Sequence, residues 1–437
     1  MRKSIVQILL AVLMLGLIPQ FALAGGIDNK QNWSAAYASG PSRNGVLDGA
    51  DIAAYNPAGI VHLPDGLTCE VDGQFININY DHTIGGTDYS VDGWPIVPSL
   101  FTVYKKDKWG FYFTFTIPGG GGEVEYDQGN IITQKIGNAI SAGALWVGPP
   151  AGIAAMGIVP GGSLSNQYAY VESIDYGLTA GISYAFTDKF SLSAGLRRVN
   201  TDKDVDIHGT YTDPFATATN IVGKYEQDAE GYGGVFGLNY KLNNDFNFGL
   251  RYETKVSLDW DTTVPSDTTA AGAALLAYFN RVDGGSYARD LPAVFGFGME
   301  WKATDKLSVR PSITYYFEDS ANWGDQNNKI GHDSYDLALA LAYQLNEAWT
   351  VSCGYMYTSN GMDPNEYGII EQMSPPLDCH TIAVGGKYRY SERLAFAFGA
   401  MGSFYESETA RAEGTAPETE YSKTNYTTAV SIEYRFF

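Results

Sequence analysis

The chain has 437 residues and a formal net charge of −21; only 18% of the residues are charged, while 14% are aromatic. So acidic a surface argues against a nucleic-acid partner, whose phosphates demand lysine and arginine. Three cysteines (Cys69, Cys353, Cys379) are too few for a disulfide framework, and Cys353 falls on an apolar strand face as a small hydrophobe.

At the N-terminus, Arg2 and Lys3 precede an apolar run from Ile5 to Ile18, then Pro19 and Ala22-Leu23-Ala24. This pattern predicts a secretory signal peptide over residues 1–24. The run is too short for a dependable membrane helix, and no uninterrupted apolar segment of roughly 18 residues follows it. No cysteine stands directly after Ala24, so a lipid anchor is not expected.

Residues 25–65 do not alternate. GVLDGADIAAYNPAGIVHLPDG (45–66) is small, glycine-rich and compact. Pro57 fixes its own φ and biases Asn56 away from helix, which makes a turn. Ala58 and Gly59 permit close packing against a wall.

From Leu67 onward the chain alternates with period two. In FNFGLRYETKVSLDW, Phe246, Phe248, Leu250, Tyr252, Val256, Leu258 and Trp260 fall on one face, and Asn247, Arg251, Glu253, Lys255 and Asp259 on the other. Fourteen such segments start near Leu67, Ser99, Trp109, Gln167, Phe190, Tyr225, Phe246, Ser286, Leu307, His332, Trp349, Cys379, Leu394 and Thr424. Short connections, such as KKDK (105–108), TDK (187–189) and NND (243–245), alternate with long ones, including a polar loop over Thr201–Lys224. Transmembrane barrels have this asymmetry, with short periplasmic turns. The prediction is an all-β, 14-stranded antiparallel transmembrane β-barrel over residues 66–437. Its apolar faces meet lipid, its polar faces a watery lumen, and residues 25–65 fold inside as a hatch. A soluble sandwich would bury one face of much shorter strands. The terminal Tyr434-Arg435-Phe436-Phe437 suits an interfacial girdle.

Asn56-Pro57-Ala58, with Asp51 and Ala53-Ala54 before it, resembles the hatch motif of the FadL/TodX outer-membrane transporters of long-chain fatty acids and aromatic hydrocarbons. YKLNNDFNFGLRYETKVSLDW (240–260), DLPAVFGFGMEWKATDKLSV (290–309) and TIAVGGKYRYSERLAFAFGAM (381–401) resemble strand pairs of that family. The resemblance spans most of the chain after Ala24. It implies a hatch-occluded barrel in the outer membrane, releasing ligand sideways into the membrane at a kink in the third strand. Pro118-Gly119-Gly120-Gly121-Gly122 ends that strand's alternation, as such a kink or as the start of an extracellular loop.

Two loops are rich in apolar residues. Ile136, Ile140, Leu145 and Trp146 lie in one; Leu275, Leu276 and Phe279 lie at helical spacing in the other. They capture ligand, or they pack together as a cap. In the family the loop with apolar helices follows strand five, whereas here it follows strand three, so the capture site does not transfer residue by residue.

Arg197, Arg251, Lys255 and Arg310 point inward by phase, where they bind a ligand carboxylate or pair with neighbouring acids and the hatch. The five histidines (His62, His82, His208, His332, His380) form no nucleophile or metal-ligand spacing. The expected protein is therefore a monomeric passive channel for hydrophobic compounds in outer-membrane lipid, with no cofactor or metal. The alternatives are an outer-membrane enzyme acting on lipids and a general porin, although porins usually need about sixteen strands and no plug. Fatty acid and uncharged aromatic hydrocarbon remain equally open.

Overall fold

The computed structural model describes residue 27 and residues 31–143, 158–324, 330–410 and 418–437. The expected signal peptide and the loop residues Leu145 and Trp146 lie outside these. In chain order the strands are β1 (Gly66–Ile84), β2 (Thr87–Gly93), β3 (Ile96–Lys106), β4 (Trp109–Tyr126), β5 (Ser163–Ala185), β6 (Phe190–Thr212), β7 (Ala218–Lys241), β8 (Phe246–Glu253) and β9 (Asp259–Thr263). There follow β10 (Ser286–Ala288), β11 (Ala293–Lys302), β12 (Leu307–Phe317), β13 (Ser334–Gln344), β14 (Trp349–Ser359), β15 (Cys379–Arg389), β16 (Leu394–Tyr405), β17 (Glu408–Ala410) and β18 (Thr419–Arg435).

All pair antiparallel, and β18 closes on β1 from Thr68↔Arg435 to Ile84↔Thr419. Four staves consist of two segments each (β2 with β3, β8 with β9, β10 with β11, β16 with β17), so the barrel has fourteen staves. Closure leaves no unpaired edge to face hydrocarbon.

The walls outreach the membrane. β5 and β6 have 23 residues each and β7 has 24, about twice the 9–11 that a tilted strand needs to cross hydrocarbon. The excess divides each long strand into two zones. On β6, Leu192 and Leu196 point out and are exposed, whereas Ser191, Ser193 and Arg197 point in. Higher up, Arg198, Asp202 and Asp204 point out, and Val199, Val205 and Ile207 are buried inside. β1 repeats the change, with Glu70, Asp72 and Gln74 facing the lower lumen and Ile76, Ile78 and Tyr80 the upper. The lower barrel is inverted, as lipid requires; the upper barrel is a water-exposed wall around an apolar core.

The stretch Phe246–Trp260 crosses this boundary and corrects the expectation of one strand with one lipid face. From Val235↔Glu253 to Asp228↔Asp261 the chain advances one residue more than β7 does. A slip of one residue exchanges the faces. Val256, Leu258 and Trp260 therefore turn inward and pack with Val199, Ala229 and Leu291. Asp259 and Asp261 face outward. The polar stretch Thr201–Lys224 is also not a long loop: β6 continues to Thr212 and β7 begins at Ala218. Its polar residues are the wet outer face of two paired strands.

At the short-turn end the outer face carries an aromatic girdle of exposed Trp109, Trp301, Trp349 and Tyr390. Phe246 and Trp301 stack with centroids 5.9 Å apart. Such rings suit the membrane–water interface.

Candidate functional site: a plugged lumen and a broken wall

Residues 31–65 fill the lower lumen and satisfy their backbone against its polar wall. The Asn56 amide, fully buried, donates to Asn239 Oδ1 at 2.8 Å and to the Val46 carbonyl at 3.3 Å. The Pro57 and Ala58 carbonyls accept from Ser183 and Ser191 hydroxyls, each at 2.7 Å. Asn247 reaches the Gly45 carbonyl at 2.9 Å. Close approach needs bare backbone in the wall: a Cβ on Gly298 would lie 2.6 Å from the Gly45 nitrogen, and one on Gly249 would strike the Asn44 carbonyl.

Inside the hatch, Trp33, Tyr55 and Tyr37 form a continuous stack, with centroid separations of 5.5 and 5.6 Å. Asp51 binds Arg43 at 2.6 Å and Ser34 at 2.8 Å. Ser34 in turn caps the short helix Ala35–Ser39 through the Tyr37 N–H.

The β4 wall is broken beside this stack. Pairing with β5 jumps from Thr116↔Gly177 to Gly119↔Asp175 and again to Gly122↔Ser173. Each jump puts an extra residue on β4, so the strand bows while its phase is restored. Gly120 and Gly122 both have φ of +89°, a conformation that glycine adopts without strain. The β3–β4 ladder extends only from Lys106↔Trp109 to Leu100↔Phe115, so above Phe115 the wall lacks that pairing. Pro118 offers no N–H there. The Trp33 indole N–H donates to the Ile117 carbonyl at 3.0 Å.

Each of the four candidate cations has an acidic partner. Arg197 and Arg251 share Glu253, and Arg251 also binds the Ala54 carbonyl and Gln31 of the hatch. Arg310 joins Asp48 at 2.8 Å to Glu300 at 2.7 Å. Lys255 sits in the break between β8 and β9, partly exposed, on Asp290 at 2.6 Å. The two arginines thus share one glutamate, and among the described residues Arg197 Nε and one terminal nitrogen have no hydrogen-bond partner. Below the barrel, Lys105 binds Asp65 and holds that carboxyl under its usual range.

The loop residues point inward. Ile136 and Ile140 lie on the buried face of the helix Ile131–Ser141; Leu275 and Leu276 are buried on Ala270–Tyr278, with Phe279 packed beside them. They share one apolar cluster with Ile78, Val171, Ile207 and Tyr225 of the upper wall, so they roof the lumen instead of greeting solvent.

Trp33, Tyr55, Ser183, Ser191 and Asn239 escaped the sequence reading, which placed Asn247 on the lumen face without a role. A small polar residue in the inward phase of a lipid-facing strand was the available signal for Ser183, Ser191 and Asn239. Nothing local marked the aromatic stack.

The family model for outer membrane protein transport proteins (OMPP1/FadL/TodX) matches residues 158–436. The 47 kDa outer membrane protein of Pasteurella multocida is 25% identical over 235 residues, covering 50% of this chain and 54% of that protein. The long-chain fatty acid transport protein of Escherichia coli is 22% identical over 277 residues, covering 56% and 62%. The chain thus spans little more than half the length of these curated relatives. Among solved structures, a Pseudomonas aeruginosa FadL homologue superposes with a TM-score of 0.69 at 15% identity, covering 94% of this chain and 100% of that one. The P. putida toluene transporter TodX gives 0.64 at 16% identity, covering 94% and 99%. These likenesses show the fold. With its family model matching well over half of it, the chain belongs to the OMPP1/FadL/TodX family of outer membrane transport proteins.

Proposed function

We propose that this barrel passes hydrophobic compounds, long-chain fatty acids or aromatic hydrocarbons, through the outer membrane without energy input. Ligand enters beneath the roof helices, descends the apolar upper lumen, and leaves sideways through the broken β4 wall into lipid. The carrying observation is the continuity of that apolar interior from the roof cluster to Ile117, above a hatch tied to the wall by hydrogen bonds and ion pairs. An apolar solute is favoured down to the hatch and disfavoured beyond it, since the hatch offers paired amides and charges.

The two unpartnered nitrogens of buried Arg197 support a carboxylate-bearing substrate over a neutral hydrocarbon. A buried guanidinium with unsatisfied N–H groups is suited to a carboxylate head.

Uptake of radiolabelled oleate beside toluene, in cells lacking other uptake routes, tests both statements. Gly120→Ala cannot keep a φ of +89° without strain, and its Cβ would strike the Ser173 carbonyl, so β4 must change course. Uptake of both compounds should fall while the barrel still shows heat-modifiable migration on a gel. Arg197→Met should lower oleate uptake and spare toluene. Large ohmic conductance with sugar permeation in planar bilayers would place the protein among general porins instead.

A further inference from the structure

At the short-turn end, the hatch tip Leu47-Asp48 borders two open clefts of about 450 and 460 Å³, within the size range of small-molecule sites. Their walls are cationic although the chain as a whole is strongly acidic. Strand ends and turns bring Lys241, Lys302, Lys306, Arg389, Arg393 and Arg435 to the clefts. Among the described residues none of these six is held in an ion pair. Three of the lining acids are already engaged: Asp48 by Arg43 and Arg310, Glu300 by Arg310, and Glu433 by Lys387 at 3.2 Å. The others are Glu392, Asp245 and Asp305 on the turns, which leaves the cations in excess.

The hatch itself displays what such cations hold. The Asp48 carboxylate places one oxygen 2.7 Å from Arg43 and the other 2.8 Å from Arg310, and its main-chain carbonyl accepts from Lys387 at 2.9 Å. In one cleft the cations stand beside an apolar wall of Leu47, Leu63 and Leu394.

We propose that this vestibule is a second binding site, on the periplasmic side of the hatch, for amphipathic carboxylate anions. The head group lies on Arg389 and Arg393 and the alkyl tail on the three leucines. Asp48, the internal carboxylate, competes for the same positive field. The site is independent of the uptake pathway above and is measured without transport.

Radiolabelled decanoate is dialysed to equilibrium against the purified full-length barrel in neutral detergent, at low and high salt, with a detergent blank subtracted. The parent should bind at a salt-sensitive site that decanol does not empty. Replacing both arginines (Arg389→Gln with Arg393→Gln) should weaken this site about three- to tenfold, since each partly exposed charge contact contributes modestly. Asp48→Asn, which removes the competitor, should tighten it by a similar factor. Heat-modifiable migration confirms that each variant is folded. Unchanged decanoate binding in either variant, or decanol competing as well as decanoate, would overturn the proposal.

Discussion

The lower and upper halves of this barrel are built from the same strands and obey opposite rules. Below Arg197 the wall shows leucine, isoleucine and aromatic rings outward; inward it turns serine, asparagine and ion pairs, with Phe101, Val103 and Met356 packed on the hatch. Above it, aspartate and glutamate face out, and isoleucine, valine and tyrosine predominate inside around a few buried charges such as the Arg289–Glu371 pair. The surroundings on both sides account for the exchange. Lipid outside and a peptide hatch inside demand apolar-out, polar-in, because the hatch backbone must find hydrogen bonds. Water outside and roof helices inside demand the reverse. Under the proposed function, a hydrophobic ligand would find its solvent in the upper lumen and a barrier where the lower lumen begins.

The largest way to break this comparison is to remove the charge that ties hatch to wall. Arg251, fully buried, contacts Glu253, the Ala54 carbonyl and Gln31. Arg251→Met should destabilise hatch docking by roughly 3–5 kcal/mol, the usual cost of breaking a buried ionic network. Amide exchange over residues 31–65 should accelerate while barrel amides stay protected. Equal protection of the hatch in both proteins would mean the docking does not depend on this arginine.

A second test concerns the outer face. Leu339 lies in the lipid belt, exposed to 48%, between Leu337 and Leu341. Arginine there should cost about 2–4 kcal/mol if the position is near mid-bilayer. Asp202→Arg, on the wet outer wall, should stay within about 0.5 kcal/mol. Urea unfolding from lipid vesicles measures both, and similar costs at the two sites would remove the membrane boundary from where the strand pattern puts it.

Much of the barrel was legible from alternation, which is a local property. Phe190, Phe246, Trp349, Cys379 and Leu394 were picked out as strand starts, and they begin β6, β8, β14, β15 and β16. The exchange of faces was not legible. A single extra residue between β8 and β9 leaves the apolar residues at every second position, yet sends them to the other side. For the same reason the Thr201–Lys224 stretch looked like a loop: its outer residues are polar because water, not lipid, touches them. In the site, Asn56 announced itself through the proline beside it. Ser183 and Ser191 did not, because what they bind is backbone from a segment more than 120 residues earlier.

Asn56 supports a smaller, sharper test of the lower lumen. Its side chain is buried between hatch and wall, so Asn56→Ala strands the Asn239 carbonyl oxygen with one donor fewer and removes the link to Val46. The expected loss of hatch stability is about 1–3 kcal/mol. Uptake of a hydrophobic substrate should fall while outer-membrane abundance stays normal. Parental uptake together with parental hatch exchange would show that this anchor is dispensable.

The smallest expected effect falls where the two halves meet. Trp33 belongs to the hatch, but its N–H serves the Ile117 carbonyl just before Pro118, where β4 begins its bow. Trp33→Phe keeps an aromatic ring against Tyr55 and deletes only that donor, at a cost of about 0.5–1.5 kcal/mol. If the bond holds the hatch against the broken wall, loosening it shifts the population toward an open gap, and substrate release should quicken by no more than about tenfold. Trp33→Ala, which also removes the stacking surface, should loosen the hatch further and admit small polar solutes. Release of preloaded labelled ligand into lipid vesicles separates the cases. A Trp33→Phe variant with parental release kinetics and a Trp33→Ala variant that still excludes polar solutes would mean that the seal at the β4 break is made by something other than this tryptophan.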